Sequence, residues 1–219
     1  MLYLVSTPIG NLKDMTLRAI DVLKEVDLIV CEDTRKSSIL LRHHEIITKT
    51  ISYHAHSDQR KIMLLIDKLK EGQNLAVISD AGNPSISDPI FPLILKVKEE
   101  KIPYTIIPGA SAFLSALSLS GYSLREFKYL GFIPHKKGRM TFINSIKNEK
   151  SVVVFYESCH RIKKCVKEIF ESGLNREICI AREITKMHEE VIFLSETNYQ
   201  TFLTEHKERG EYVVVVKEQ

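Results

Sequence analysis

The stretch LAVISDAGNPSISDP, residues 75–89, decides the fold of this chain. It begins with an apolar run, residues 75–78, whose branched side chains are typical of a buried β-strand. The run then changes at once to small and polar residues, among them Asp80 and Gly82. Ligands of open α/β sheets bind at the carboxyl ends of the strands, where a glycine lets the backbone come close and an aspartate offers an acceptor. The sequence therefore predicts a ligand-binding loop, although an ordinary strand-to-helix loop with a capping aspartate fits the same residues.

The first half of the chain repeats this pattern. Predicted strands at 2–5, 28–31, 46–53, 75–78 and 104–107 alternate with predicted helices. These helices span 16–26, a segment after 32–35 that ends near 42, 60–70, 88–100, and a segment after 108–112 that ends near 119. Such alternation predicts a parallel sheet with helices on both faces. Two further loops, 6–11 and 108–112, also place glycine, proline and serine directly after a strand, so we expect three loops to converge on one crevice. The chain holds neither G-x-G-x-x-G nor G-x-x-x-x-G-K-[ST], which excludes the usual dinucleotide fingerprint and the P-loop.

In the second half of the chain, predicted strands and helices also alternate, but the strands lie closer together in sequence. Strands are predicted at 129–133, 152–156, 178–182, 190–194 and 212–216, with shorter helices between them, which favours a mixed sheet. Serine, glycine and a helix stop lie within 118–125, and we place a linker there. The chain is therefore interpreted as two α/β domains, residues 1–119 and 120–219.

Bulk properties narrow the class of protein. The 219 residues are 44% hydrophobic and 27% charged, which is typical of a globular chain, and the net charge of +3 permits a nucleic-acid partner. Four cysteines without C-x-x-C spacing speak against a zinc ribbon and suit a reducing compartment. The N-terminus lacks the pattern of a signal peptide, and no apolar run is long enough to cross a membrane. We therefore expect a cytoplasmic location, with no membrane partner.

Two predicted strands of the second half end in clusters of polar residues, YESCHR at 156–161 and REITK at 182–186. Ser158 and His160 are too close in sequence for the geometry of a catalytic triad, and no nucleophile elbow is present. Structural ion pairing, for instance between Glu157 and Arg182, is the alternative to a catalytic role for these clusters.

Histidines and a basic segment complete the set of candidates. His43, His44, His54 and His56 lack the spacing of a metal site, so we interpret them as loop or surface residues and predict no metal. The segment HKKGR, 135–139, is suited to contact phosphates, and a solvated turn is the alternative.

Taken together, several segments resemble one branch of the tetrapyrrole methylases, the small-subunit ribosomal RNA cytidine 2'-O-methyltransferases. The resemblance covers nearly the whole chain, and its motifs follow in family order: STPIGNL and EDTR, then VISDAGNPSISDP, IPGASA, GFIPHKKGR, FYESCHRI, AREITKMHEE and RGEYVVVV. It implies a two-domain, tetrapyrrole-methylase-like α/β fold with a cofactor cleft between the domains. It also implies a homodimer that acts on a cytidine in the decoding region of 16S ribosomal RNA, as free RNA or in the small ribosomal subunit.

The cofactor that the resemblance implies is S-adenosylmethionine. Carried over by motif, its binding residues in the first domain are Pro8, Asp80, Ala81, Gly82, Asn83, Ser111 and Ala112. Those in the second domain are Tyr156, Ala181 and Gly210. The first-domain residues lie on the three loops that the strand pattern selects independently.

Three positions depart from the family pattern. Asn83 replaces the usual threonine and keeps a polar side chain, while Ile90 replaces a glycine and predicts a different start for the following helix. The sequence ends at Gln219, whereas many similar members continue, and if that further segment holds RNA, we expect RNA to be held otherwise or more weakly here.

The implied reaction is an in-line methyl transfer to a ribose 2'-hydroxyl, which requires positioning and removal of a proton. We expect the base or polarising cation among Glu157, Arg182, Glu183 and Lys186. We expect phosphate contacts from Arg35, Lys136, Lys137, Arg139 and Arg161, and a flipped-out cytidine. Two alternatives stay open: a methyltransferase of the same fold for a small-molecule or protein substrate, and a non-catalytic RNA-binding protein.

Overall fold

A computed structural model describes residues 1–54, 59–86 and 90–219 and divides into two compact units, Met1–Ser111 and Ala112–Gln219. The first unit is built on five strands: β1 (Leu2–Val5), β2 (Leu28–Cys31), β3 (Thr50–Ser52), β4 (Leu75–Ile78) and β5 (Tyr104–Ile107). Their order is β3-β2-β4-β1-β5, and every neighbouring pair is parallel. The predicted parallel sheet is confirmed.

Helices cover both faces of this sheet, as predicted. They are α1 (Leu17–Glu25), α2 (Thr34–His43), α3 (Gln59–Lys70) and α4 (Phe91–Glu99), and a short 3-10 helix spans Leu12–Asp14. Side chains alternate along a strand, so Ala76 and Ile78 of β4 pack in the core cluster of α1 and α2, while Leu75 and Val77 pack in that of α3 and α4. All four residues of β4 are buried for this reason.

Two elements of the first unit are shorter than the sequence predicts. The strand expected at 46–53 pairs with β2 only over Thr50–Ser52. The helix expected from residue 88 begins at Phe91, with Pro92 in its first turn, where the missing N–H has no partner to lose. Residues 87–89, the SDP that ends the segment VISDAGNPSISDP, lie outside the described residues, as do residues 55–58 with His56.

The second unit carries five more strands: β6 (Phe127–Phe132), β7 (Val152–Ser158), β8 (Ile178–Arg182), β9 (Glu190–Leu194) and β10 (Glu211–Val216). In the order β6-β7-β10-β8-β9, only β6 and β7 are parallel, and the other pairs are antiparallel. The predicted mixed sheet is confirmed. Its helices are α5 (Ala112–Ser120), α6 (Arg139–Asn148), α7 (Ile162–Glu171) and α8 (Tyr199–Glu205), with a 3-10 turn at Cys159–Arg161.

The boundary between the units lies one helix earlier than the sequence predicts. Helix α5 packs on β7, β8 and β10, and its Ala116 and Leu117 are buried. The helix therefore belongs to the second unit, although its sequence continues the alternation of the first.

The faces of the second sheet are occupied by different helices. Val153 and Phe155 of β7 pack in the core that α6 and α7 complete, whereas α5 packs on the sheet together with Tyr129, which stacks on Phe113. Among the described residues, no helix is long and apolar enough to cross a membrane, and no group of three acidic, histidine or cysteine side chains is arranged to hold a metal ion. All four cysteines are free thiols, and Cys31, Cys165 and Cys179 are buried.

Candidate functional site

The loops that follow β1 and β4 are hydrogen-bonded to each other. The Thr7 amide donates to the Gly82 carbonyl at 2.8 Å, and the Gly82 amide donates to the Thr7 carbonyl at 3.1 Å. The Thr7 hydroxyl adds a bond to the Ser79 carbonyl at 3.1 Å. Because this antiparallel bridge forms beyond the last residues of two parallel strands, it fixes both loops with main-chain bonds.

The third loop lies against the first. The Ser6 amide donates to the Ile107 carbonyl at 3.1 Å, and a Cβ added to Gly109 would stand 2.9 Å from the Ser6 Cβ. Gly82, with φ +79°, would bring a Cβ to 3.7 Å from the Ala110 carbonyl oxygen. The three loops therefore converge at one edge of the sheet, so closely that only glycine fits at 109 without a shift.

Two polar side chains of this edge, Ser6 and Asp80, are placed differently. The Ser6 hydroxyl is buried and has no hydrogen-bond partner among the described residues. A buried hydroxyl without a partner is rare in folded proteins and points to a ligand or a water. The Asp80 carboxylate accepts from the Lys36 ammonium of α2 at 2.7 Å, and this bond raises the pKa of Lys36.

Arg35 lies on the exposed side of the same helix. Its guanidinium hydrogen-bonds Asp33, the N-cap of α2, at 3.0 Å, and this contact lowers the pKa of Asp33 to about 2. The Arg35 side chain is 90% exposed, so it remains accessible to a phosphate in spite of its ion pair.

The residues assigned to the cofactor by resemblance form two groups. Pro8, Asp80, Ala81, Gly82, Asn83 and Ser111 lie on or directly beside the three loops of the first unit, and Ala112 begins α5. In the second unit, Tyr156 and Ala181 are both register partners of Val213, one from each side. The two side chains therefore share one cross-strand row and one face of the sheet, and Gly210 directly precedes the central strand of that row. Both groups fit a cofactor with polar ends, since the first supplies close backbone and an unpartnered hydroxyl and the second a half-buried tyrosine.

Two of the four catalytic candidates lie on the other face. Glu157 and Arg182 are both register partners of Tyr212, one residue along from the row of Tyr156. Successive residues of a strand point to opposite faces, so Glu157 faces α6 and α7 and not the side of Tyr156. Its carboxylate is fully buried there.

Glu157 has two arginine partners, and Arg182 is not one of them. Arg139 donates to one carboxylate oxygen at 2.9 Å, while Arg161 contacts the other at 2.8 Å. The Ser158 amide also donates to the carboxylate, at 2.7 Å. The expected pairing with Arg182 is corrected, because Arg182 binds the Arg209 carbonyl and Glu190 instead.

Arg139 lies in the interior and not on the basic surface where the sequence analysis placed it. Its side chain is 5% exposed and also binds Glu168 at 2.6 Å and the Pro134 carbonyl at 3.1 Å. A guanidinium held in this way has no room for a phosphate. Lys136 and Lys137 remain exposed, and Arg161 keeps one nitrogen 3.0 Å from the His135 ring.

The other two catalytic candidates form a turn after β8. The Lys186 ammonium lies 2.8 Å from the Glu183 carboxylate and 2.9 Å from that of Glu211. The Glu211 amide donates to Glu183 at 2.9 Å, and a Cβ on Gly210 would come within 2.6 Å of the Glu183 Cγ. The backbones of Glu183 (φ +51°) and Thr185 (φ +66°) are both in the left-handed region. This conformation is uncommon outside glycine, above all for a β-branched residue such as Thr185, and such strained positions cluster at functional sites.

This turn belongs to the face of Tyr156. Glu211 precedes Val213 by two residues, so both side chains point to the same side of β10. Burial alone would raise the pKa of the Glu183 carboxyl and lower that of the Lys186 ammonium, because it disfavours the charged forms. The hydrogen bonds between Lys186 and its two glutamates outweigh burial, so the pKa of Glu183 is lowered and that of Lys186 is raised. The turn therefore presents an ammonium that stays protonated at neutral pH.

Two site features were not found from the sequence. Lys36 approaches Asp80 only because β2 and β4 are neighbours, which the order of strands along the chain does not reveal. Phe132, at the end of β6, is exposed on the face of Tyr156, with ring centroids 5.0 Å apart. Its position between an apolar strand and the HKK segment was the available signal.

Comparison with known proteins agrees with this description. A family model described as Tetrapyrrole (Corrin/Porphyrin) Methylases matches residues 1–199. A protein of Halalkalibacterium halodurans, named Ribosomal RNA small subunit methyltransferase I, is 42% identical over 99% of this chain and 75% of its own length. A protein of the same name from Thermotoga maritima is 40% identical over 98% of this chain and 97% of its own.

The fold has solved counterparts as well. The X-ray structure of cobalt precorrin-4 methyltransferase, a cobalamin biosynthetic enzyme, matches with a TM-score of 0.73 over 99% of this chain and 94% of that one. At 14% sequence identity, this likeness supports the fold alone.

Proposed function

We propose, on the premise that this chain belongs to the tetrapyrrole (corrin/porphyrin) methylase family, that it methylates small-subunit ribosomal RNA. It is a methyltransferase, and two of its bacterial relatives are named for that substrate. The finer proposal is a ribose 2'-O-methylation of one cytidine in the decoding region of 16S RNA. The proposal is supported by where the residues assigned to the cofactor lie. In the first unit they lie on adjacent loops at one edge of the sheet, and in the second unit they lie in one cross-strand row.

S-adenosylmethionine is the proposed cofactor, and it supplies a methyl group on a positively charged sulfur. In the first unit, Asp80 would accept hydrogen bonds from it, Gly82 and Gly109 would allow close main-chain contact, and the unpartnered Ser6 hydroxyl would gain a partner. In the second unit, Tyr156 and Ala181 would line it from one face.

The chain's own part in the reaction concerns the charge on the ribose 2'-oxygen, whose proton would leave to water as the oxygen takes the methyl group. Glu157 and Arg182 lie on the other face of the sheet and are bound in ion pairs, so the structure argues against both. Lys186 lies on the face of Tyr156 and stays protonated, so it is suited to stabilise the negative charge that develops on a 2'-oxygen. Glu183 and Glu211 would hold that ammonium in place.

RNA would be bound through phosphates by the exposed cations Arg35, Lys136 and Lys137, whereas Arg161, whose side chain is 20% exposed, is held by Glu157. Neutralised phosphates release counterions, so affinity should fall steeply as salt rises. We also propose, from the resemblance alone, that the protein is a homodimer in the cytoplasm. Light scattering of the purified chain would test the dimer, and cell fractionation would test the location.

The decisive experiment supplies labelled S-adenosylmethionine to small ribosomal subunits and to free 16S RNA from a strain that lacks this modification. We expect label in a single decoding-region cytidine, mapped as a 2'-O-methyl ribose. Lys186→Met should abolish transfer but leave cofactor binding intact, and Lys186→Arg should retain part of the rate. Lys128→Met, which removes an exposed lysine paired only with Glu149 among the recorded ion pairs, is the matched control.

Two outcomes would contradict the proposal. Cofactor binding without transfer to either RNA substrate would favour a small-molecule or protein substrate. RNA binding without any cofactor affinity would favour the non-catalytic alternative.

A further inference from the structure

The most exposed aromatic side chain of the second unit is Phe132, the last residue of β6. It is 61% exposed, yet its ring packs against that of Tyr156, with centroids 5.0 Å apart and planes tilted by 44°. Tyr156 is in turn 5.8 Å from Tyr129, which stacks on Phe113 of α5. The exposed ring is therefore the free end of a row of four packed aromatic side chains, which holds it in position.

A fixed basic loop begins directly after this ring. The Ile133 amide donates a hydrogen bond to the Tyr156 carbonyl at 3.2 Å. The backbone amide of the buried Arg139 closes the loop by donating a hydrogen bond to the Lys136 carbonyl at 3.2 Å. Lys136 and Lys137 lie exposed between these anchors, with no recorded ion pair to any described residue. An exposed flat apolar ring thus stands next to two accessible positive charges on a loop that is anchored at both ends.

We propose that Phe132 is a stacking platform for one unpaired base of the RNA, and that Lys136 and Lys137 bind the phosphates beside that base. This inference rests on the proposed function and names how its substrate is recognised. Aromatic rings stack with unpaired bases, and adjacent lysines bind the backbone of the same strand. An apolar ring alone would equally suit a protein partner, but the two cations beside it favour a polyanion.

The cross-strand row that contains Phe132 indicates which nucleotide of the RNA would stack on it. Phe132 and Tyr156 are register partners, and Tyr156 leads through Val213 to Ala181 on the same face. A base on Phe132 therefore lies on the face where Tyr156 and Ala181 are assigned to the cofactor. We accordingly assign the platform to the target nucleotide itself or to its immediate neighbour.

The test measures binding of a single-stranded RNA oligonucleotide from the decoding region, with the fluorescent base pyrrolocytidine at the target position. Phe132→Ala should weaken binding about tenfold and remove the fluorescence change that stacking causes. Phe132→Trp should restore both. The matched control is Phe127→Ala, which removes a ring that is 41% exposed at the other end of the same strand.

Salt dependence separates the two parts of the proposal. The double substitution of Lys136 and Lys137 by methionine should reduce the slope of log affinity against log salt by about 1.4, since each phosphate contact on a single strand contributes about 0.7. Phe132→Ala should lower affinity equally at every salt concentration and leave that slope unchanged. Equal binding by Phe132→Ala and the unmodified chain, or equal loss in Phe127→Ala, would overturn the platform.

The experiment distinguishes failure of the stacking platform from failure of the proposed reaction. Loss of RNA binding in Phe132→Ala, in a chain that never transfers methyl, would uphold the platform and refute the methyltransferase. Full methylation with an unchanged KM for RNA in Phe132→Ala would refute the platform and uphold the methyltransferase. Cofactor binding measured on the same variants shows whether the cofactor site is intact.

Discussion

The strand ends of the two units hold their polar groups by different means. In the first unit, main-chain atoms bind main-chain atoms, as in the reciprocal bonds between Thr7 and Gly82 and the bond from Ser6 to Ile107. In the second unit, charged side chains bind one another, as Glu157 binds two arginines and Lys186 binds two glutamates. Main-chain bonds persist when side chains change, whereas ion pairs depend on each partner and on pH.

This difference indicates a division of tasks. An edge of backbone and small side chains can surround a ligand closely, and its shape does not depend on the charge state of its parts. An edge of ion pairs can hold a cation at a defined place and keep it charged, as it does for Lys186. Four predictions test the comparison, in order of decreasing effect on stability.

Glu157→Ala should cause the largest loss of stability. It removes a fully buried carboxylate and leaves the buried Arg139 with Glu168 alone as an ion-pair partner. Breaking a buried ion pair in this way costs about 3–5 kcal/mol, which urea unfolding would measure. Glu171→Ala, at an exposed pair with Lys167, should stay within about 0.5 kcal/mol of the unmodified chain. A loss below about 1 kcal/mol for Glu157→Ala would show that the second unit does not depend on its ion pairs.

Gly109→Ala should cost about 1–3 kcal/mol, since the new Cβ would stand 2.9 Å from the Ser6 Cβ and the loops must move apart. The φ of Gly109 is not in the left-handed region, so the cost arises from the close approach alone. Cofactor affinity, measured by calorimetry, should fall as well. Gly72→Ala is the control, because it introduces backbone strain at φ +90° in open space and should leave cofactor affinity unchanged. Unchanged affinity in Gly109→Ala would contradict the role of the loop edge.

Acid should weaken the turn of the second unit before it affects the loops of the first. Burial by itself would raise the pKa of Glu183, but the bonds from Lys186 and the Glu211 amide hold it below its ordinary value. Such a group stabilises the fold fully above its unfolded pKa of about 4.3, and the contribution is lost as pH falls through the lower folded value. The melting temperature between about pH 5 and pH 3 should therefore fall less steeply in Lys186→Met than in the unmodified chain. Parallel curves for the two proteins would rule out this contribution.

Lys36→Met should have the smallest effect on stability. Its bond to Asp80 is short, at 2.7 Å, but the lysine side chain is 67% exposed, so the expected change is below about 1 kcal/mol. If thermal unfolding showed a loss as large as that of Glu157→Ala, the edge of the first unit would also depend on an ion pair, and the comparison would fail.

The sequence predicts most of the fold because its apolar periods are clear. The strands of the first sheet and its three loops follow from runs such as 75–78 and the small residues after them. The position of α5 could not be predicted, because membership of a unit depends on packing against β7, β8 and β10, which lie later in the chain. Sheet order likewise decides that Lys36 meets Asp80.

Part of the arrangement of the candidate site residues could be predicted from the sequence. Strand alternation in VVVFYES already places Phe155 and Glu157 on one face and Tyr156 on the other, so the burial of Glu157 was accessible from the pattern. The burial of Arg139 was not, because a helix start near residue 138 does not reveal that the Arg139 side chain points to Glu157 and Glu168. Arginines that follow exposed lysines look alike in sequence and differ only in what packs against them.

Tyr156 and Glu157 are neighbours in the chain but face opposite sides of the sheet. In a library of variants scored both for abundance in the cell and for methylation, we expect the two positions to separate. Substitutions at 157 should deplete the protein itself, because the destabilised chain is degraded, whereas substitutions at 156 should leave abundant but inactive protein. A motif that reads as one unit in a family alignment would then reflect two independent selective pressures, one on folding and one on the cofactor site.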